Sequence, residues 1–328
     1  MANKKDVPVI FGADIGNGYS KTVSIREGEK PKIITFQSVM KLITDDDLEL
    51  PRDQLFIDGS KRYCVGAAAA EMNPEEVSID SHYIKSEQYR RQLFHALALH
   101  KIQDVDMITG LPVEKFKDNL NLLKEAATAW RKRAKKRVKI SNVTSVLQPL
   151  GTYYDICFDF EYNMIDDRFN SRVGLIDIGY GTIDAIQFYK GEFKPGTNKG
   201  LSNGVFLMYD KVNQFARDSK VNDLSIYQTR DIIEKKFIKV SGVKKDASRI
   251  INLEKNALLK RVQKVMKMAW PNGIESLDYF VFTGGGADLL KAELAKIVPE
   301  TQLVMPINAT VSNACGYAKF LMLRRLVE

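Results

Sequence analysis

The chain writes Asp-Ile-Gly-x-Gly twice, as Asp14-Ile15-Gly16-Asn17-Gly18 and as Asp177-Ile178-Gly179-Tyr180-Gly181, about half its length apart. Each copy follows a short apolar run (Val9-Ile10-Phe11; Leu175-Ile176) and precedes another (Thr22 to Ile25; Ile183 to Phe188). The pattern predicts a tight turn between two strands, with a carboxylate at the end of the first. Glycines accept left-handed backbone and let N–H groups converge on an anion. A carboxylate repels a phosphate but can hold the Mg²⁺ that binds one. Two such turns facing each other would clamp a metal-bound polyphosphate between two related domains.

Other phosphate signatures do not fit. A dinucleotide-binding turn needs G-x-G-x-x-G opening a helix, whereas Gly16-x-Gly18 is followed by Lys21 and strand-forming residues. The pattern G-x-x-x-x-G-K-[ST] is absent. A third glycine signal, Thr283-Gly284-Gly285-Gly286, follows the apolar run Leu277 to Phe282 and offers close backbone approach to a ligand.

Those residues need elements to hold them. The 328 residues suggest two domains, and 45% hydrophobic with 27% charged residues is ordinary for a globular chain. Strands are predicted at 7–13, 22–26, 32–39 and 106–109, and a helix at Gln88 to His100. A helix from Val113 to Trp130, a strand at Val138 to Ile140 and a helix opened by Gln148-Pro149 follow. Surface loops are marked by Thr44 to Asp47 and by Asn73-Pro74-Glu75-Glu76. Asp155 to Arg172 reads as irregular. Beyond it come a hairpin over Val173 to Tyr189 and helices at 205–216, 223–237 and 251–268. A strand at 277–282, a helix at 287–297 and a last helix at 312–326 close the chain. Strands alternating with helices predict an α/β fold with mostly parallel sheets.

Composition narrows the functions. No secretory leader precedes the first strand, and no apolar stretch reaches the ~18 residues of a membrane span. Cys64, Cys157 and Cys315 form no CxxC and read as reduced cytoplasmic thiols. His82, His95 and His100 lack the spacing of helical metal ligands. Net charge +8 and pI ≈ 9.1 permit a polyanionic partner without requiring one. The run Arg131 to Arg137 reads first as a solvated helix end, where cations complement the macrodipole.

Five segments in this order resemble the nucleotide motifs of the superfamily that joins actin, heat-shock chaperones and sugar kinases. Asp14 to Lys21 is similar to its first phosphate motif and Gln148-Pro149-Leu150-Gly151 to its first connecting motif. Leu175 to Thr182 is similar to the second phosphate motif, Phe282 to Ala287 to the adenosine motif, and Asn308 to Gly316 to the second connecting motif. Thr109-Gly110-Leu111-Pro112, Gln148 to Thr152 and Asn198-Lys199-Gly200 most resemble the ParM-type, plasmid-segregating bacterial actins.

The resemblance implies an actin-like fold, with duplicated α/β domains of ribonuclease H type around a central nucleotide cleft. It places one domain at 1–168 with 308–328 and the other at 169–307. It implies ATP, with GTP as an open choice, and Mg²⁺ held by Asp14 and Asp177. Backbone amides of Gly16, Asn17, Gly18, Gly179, Tyr180 and Gly181 would cradle phosphates, with Lys21 as fixed cation and Thr182 as a hydroxyl. Gln148 is carried over as the residue that orients the attacking water, as glutamine does in GTPases. Gly284, Gly285 and Gly286 would admit the nucleoside, Gly200 and Gly204 would shape the opposite wall, and Glu234 would take a ribose hydroxyl. Asp184 is a weaker second carboxylate.

The implied function is a filament-forming ATPase that moves plasmid DNA through a DNA-bound adaptor, its partner besides itself, without touching DNA directly. A metabolite kinase of the same superfamily is the alternative, but such an enzyme needs a carboxylate base where Gln148 supplies an amide. A chaperone ATPase lacks its substrate domain here, and a DNA-binding module rests on the basic run alone.

Overall fold

The computed structural model describes residues 7–44, 50–72, 83–113, 116–134, 137–222 and 224–327. The loop signals at 45–47 and 73–76, His82, Asp223, and Lys135 and Lys136 of the basic run lie outside them.

Strands β1 (Val9–Ile15), β2 (Tyr19–Ile25) and β3 (Lys32–Gln37) form an antiparallel meander. A small three-stranded sheet follows, from β4 (Met40–Ile43), β5 (Leu55–Asp58) and β6 (Lys61–Val65), and the short helix α1 (Ala67–Glu71) rests on it. Helix α2 (Glu87–Leu99) starts where Ser86 accepts a hydrogen bond from the Tyr89 N–H, a side-chain cap. Strand β7 (Asp104–Leu111), helix α3 (Phe116–Ala134) and strand β8 (Lys139–Leu147) complete the first half, with sheet order β3-β2-β1-β7-β8. Helix α4 (Gln148–Cys157) follows without a loop, and Pro149 at its first turn needs no N–H partner there.

The second half repeats the plan. The hairpin β9 (Val173–Ile178) and β10 (Thr182–Tyr189) leads through β11 (Glu192–Phe193) and β12 (Lys199–Ser202) to α5 (Phe206–Asp218). Helix α6 (Ile226–Lys235) is opened by a capping box of Ser225 and Gln228 and ended by Lys236 at φ 62°. A two-stranded ribbon, β13 (Phe237–Val240) and β14 (Val243–Asp246), precedes the long helix α7 (Ser248–Ala269). Then come β15 (Tyr279–Thr283), α8 (Gly285–Leu289), α9 (Lys291–Leu294), β16 (Leu303–Val304) and α10 (Ser312–Val327). The second sheet runs β11-β10-β9-β15-β16, with β12 also paired to β10. Every residue of β9 is buried, Asp177 included, as befits a central strand covered on both faces.

Two helices cross over. α4 packs Tyr153, Ile156 and Cys157 against β9 and β10 of the second sheet. α10 packs Ala314, Tyr317 and Ala318 against β1, β2 and β7 of the first. The two helices touch because neither has a side chain at the crossing: a Cβ on Gly316 would collide with the Gly151 carbonyl, and one on Gly151 with Asn313. Lys319, buried on α10, donates to the Asp155 carboxylate (2.7 Å) and to the Phe158 carbonyl (2.7 Å) at the end of α4. The outer faces are closed by α2 and α3 on the first sheet and by α5 and α7 on the second.

Four departures from expectation have simple causes. The small sheet β4–β6 was not expected, because its strands are four or five residues long and mix charged with apolar positions. β8 extends to Leu147 through the polar Ser141, Asn142, Thr144 and Ser145, as an edge strand half open to solvent allows. The helix expected at 287–297 is broken into two short pieces. The helix expected to reach Phe237 stops at Lys235, where Lys236 turns left-handed into the ribbon. No described helix is long and apolar enough to cross a membrane. The three cysteines are buried, and burial pushes the Cys157 and Cys315 thiols up to about 12.

Candidate nucleotide cleft

Both Asp-Ile-Gly-x-Gly segments are hairpin turns. The Gly16 N–H donates to the Tyr19 carbonyl (3.1 Å), and the Gly179 N–H to the Thr182 carbonyl (2.9 Å). The turns lie on different sheets and open into one cleft of about 420 Å³ between the two halves. Asp14, Gly16, Asn17, Gly18 and Lys21 line it from one side, and Asp177, Gly179, Tyr180, Gly181 and Thr182 from the other. Gln148, Gly284 and Gly285 also line it.

The hairpin register explains Lys21. It lies directly across from Asp14, and its ammonium meets the carboxylate at 3.1 Å with both side chains mostly buried. Asp177 is instead held by amides. Asn313 donates to its Oδ2 at 2.8 Å and Gln148 at 3.2 Å. Burial, then the nearby charge of Asp14, raise its pKa from 3.8 to about 6, against the lowering effects of Asn313, Lys21 and Gln148. Across the hairpin from Asp177 sits Asp184, 2% exposed.

Residues outside the turns fix these groups. Tyr317 donates to the Gln148 carbonyl (2.9 Å), and Gly110 leaves room for its hydroxyl. Asn313 also accepts from the Thr152 N–H (3.1 Å) and hydroxyl (2.9 Å), and Thr152 meets Thr283 at 3.0 Å. A polar chain thus joins α4, α10, β15 and β9 beneath Asp177. Gly284, at φ 84°, passes so close to the Asp177 carboxylate and the Ile178 carbonyl that no side chain fits. Asn313 and Tyr317 escaped sequence reading. Asn313 lay inside the second connecting segment, but nothing in its spacing marked it as the partner of Asp177. Tyr317 stands one residue beyond that segment.

Four expected residues do not line the cleft. Gly200 lies on β12, paired with Asp184, while its neighbours Ser202 and Asn203 reach the cleft wall. Gly286 faces Ile178, where a Cβ would collide with that side chain. Glu234 points to solvent and pairs with Arg230 at 2.8 Å; Arg230 is the member that lines the cleft. Gly204 likewise serves packing, against the Gly179 carbonyl. The basic run is partly spent within the chain. Arg131 donates to the Ile140 carbonyl and Arg137 to the Ile57 carbonyl, and Arg133 stands 3.9 Å from Asp58.

The donor set suits Mg²⁺. Two desolvated carboxylates share one cleft and repel each other, which an intervening dication would relieve. The described residues hold no group of three or more metal-ligating side chains, so the remaining positions would fall to water and phosphate, the usual habit of this ion.

Two α/β halves, each with a glycine hairpin and a carboxylate at a shared cleft, define a two-lobed protein of duplicated design. Residues 12–151 match the family of actin like proteins, N-terminal domain, and residues 175–296 match the archaeal actin homologue MreB-like family, C-terminal. The chain belongs to the actin-like proteins. Solved structures agree in fold. A non-polymerisable quadruple mutant of pCBH ParM superposes with TM-score 0.78 at 22% identity, covering 97% of this chain and 100% of its own. An archaeal actin homologue gives 0.74 at 16% identity, covering 96% and 99%. Bacillus thuringiensis ParM with ATP gives 0.65 at 15% identity, covering 98% and 100%. No curated protein sequence matches the chain.

Proposed function

We propose that the chain is a filament-forming, cytoplasmic ATPase that uses Mg²⁺ and segregates plasmid DNA through an adaptor protein. The observation that carries the nucleotide reading is the pair of hairpin turns from different lobes opening on one cleft, with Asp14, Lys21, Gln148 and Asp177 around it. ParM relatives solved with ATP and as a filament from Clostridium botulinum support the polymer reading by fold. The lobes, 1–168 with 308–328 and 169–307, would close on the nucleotide like jaws.

Phosphoryl transfer to water asks a protein for positioning and charge compensation. Turn amides at 17–18 and 180–181 bind the β- and γ-phosphates, since the Gly16 and Gly179 N–H groups, also expected there, are spent on closing the turns, and the Lys21 ammonium offsets charge on the phosphates as the β–γ bond breaks. Asp14 and Asp177 would hold Mg²⁺, whose charge supplies further electrostatic stabilisation when bound. The Gln148 amide nitrogen is anchored on Asp177, which turns its carbonyl oxygen into the acceptor that orients the attacking water. Glu234 and Gly200 keep no direct part in this scheme. Gly284 and Gly285 leave the nucleoside end of the cleft open, without selecting ATP over GTP.

Purified protein with MgATP should release phosphate and scatter light as filaments form, which electron microscopy would show. Protein that binds MgATP but stays monomeric at high concentration would sink the filament reading. Phosphate release that depends on an added sugar or acid would favour a kinase instead.

A further inference from the structure

Tyr227 belongs to α6 in the second half, yet its hydroxyl donates to the carbonyl of Gly18 in the first phosphate turn, at 2.7 Å. That carbonyl also accepts from the Ser38 N–H of its own lobe, at 2.9 Å. The Tyr227 ring meets Tyr19 edge to face (centroids 5.6 Å apart) and packs on the small sheet lobe beside Val39 and Ile43. One turn further along α6, the Arg230 guanidinium lies over the other aromatic partner, 5.6 Å from the Tyr19 ring centre. Tyr19 and Arg230 both line the cleft, and Tyr227 stands behind them.

These contacts bridge the two lobes beside the cleft, and they end on the phosphate turn itself. Two donors on one carbonyl fix the plane of the Gly18–Tyr19 peptide, and glycine turns lack side chains that would fix it locally. One of the two donors is present only while the lobes are together. We propose that Tyr227 is a positioning residue. Its hydroxyl sets the first phosphate turn in its binding geometry when the cleft closes, so that closure and phosphate affinity rise together. The proposal rests on the nucleotide reading above, but its geometry exists without nucleotide.

The test is Tyr227→Phe, which keeps the ring contacts and removes the hydroxyl. Without nucleotide, hydrogen exchange of peptides covering 15–22 should quicken by about tenfold, the scale of one lost hydrogen bond, while peptides covering 178–185 keep their rate. With MgATP, KM should rise by about tenfold and kcat should change by less than about twofold. Tyr227→Leu, which also removes the ring, should show the same or larger effects. Unchanged exchange at 15–22 in Tyr227→Phe would overturn the proposal, as would equal quickening at both turns, the mark of general loosening. Wild-type protein that binds no nucleotide would overturn the ATPase reading while the exchange comparison still decides the role of Tyr227.

Discussion

Asp14 and Asp177 enter one cleft from opposite lobes, but the two carboxylates are compensated differently. Asp14 meets the Lys21 ammonium at 3.1 Å, whereas Asp177 receives hydrogen bonds from the neutral amides of Asn313 and Gln148. The second carboxylate therefore carries an electrostatic penalty in the nucleotide-free protein. A bound dication would relieve it.

That penalty has a pH signature. Folded Asp177 keeps its proton up to about pH 6, while in the unfolded chain it is lost near the ordinary 3.8. Between those values the folded state binds more protons, so this group's contribution makes the apo protein more stable as pH falls through the window. Above it the penalty is fully present. Asp177→Asn should raise the nucleotide-free Tm at pH 8, by a free energy of about 1–3 kcal/mol, and abolish phosphate release. Calorimetry at pH 8 and pH 5 checks the sign, since the gain should shrink at the lower pH. Mg²⁺-dependent nucleotide binding should weaken below pH 6, as protonation removes the charge that attracts the ion.

Gln148→Ala should leave MgATP affinity within a few fold and cut kcat by about 10²- to 10⁴-fold, because it removes the group that orients water without touching the turns. Single-turnover phosphate release alongside equilibrium nucleotide titration separates the two effects. Filaments of this variant should persist longer after ATP addition.

Lys21→Ala removes the cation beside Asp14 and the one expected on the phosphates. A loss of about 10²- to 10³-fold in kcat/KM is expected, the scale of one preorganised electrostatic contact. Lys21→Arg should recover little, since a planar fork does not replace a compact ammonium that fits between Asp14 and the turn. Steady-state kinetics on both variants decides this.

The interhelical crossing makes a stability prediction. Lys319, 5% exposed, pairs with Asp155 at 2.7 Å beneath the crossing of α4 and α10. Lys319→Ala should leave the part-buried Asp155 carboxylate with Ser312 but without its cation and cost about 3 kcal/mol. Gly316→Ala forces a methyl into the Gly151 carbonyl and should cost about 1–3 kcal/mol by overpacking. Urea titration measures both.

Local chemistry made much of this legible in sequence. The two hairpins were visible because apolar runs flank glycine pairs, and the start of α4 because proline marks it, whereas the role of Gln148 came from the family resemblance alone. What stayed hidden depended on contacts between distant segments. Asn313 reaches Asp177 across the helix crossing, and Tyr317 reaches Gln148 through the gap at Gly110. The Arg230–Glu234 pair had the spacing of a helix couple, but which member faces the cleft is set by the rotation of α6 against the lobe. Only the start of β8 was read as a strand; its continuation beyond Ile140 hid behind Ser141, Asn142, Thr144 and Ser145 because an edge strand needs an apolar face on one side only.

The exchange of helices between the sheets has a consequence for how the molecule can come apart. Cut within 158–172, the N-terminal piece would hold α4 without the β9–β10 surface it covers, and β1, β2 and β7 without α10. The C-terminal piece would have the mirror-image defect. Each fragment would expose two apolar faces and recover them only from the other. The pieces should therefore be insoluble alone and complement each other when mixed, and the intact chain should melt in one transition despite having two lobes.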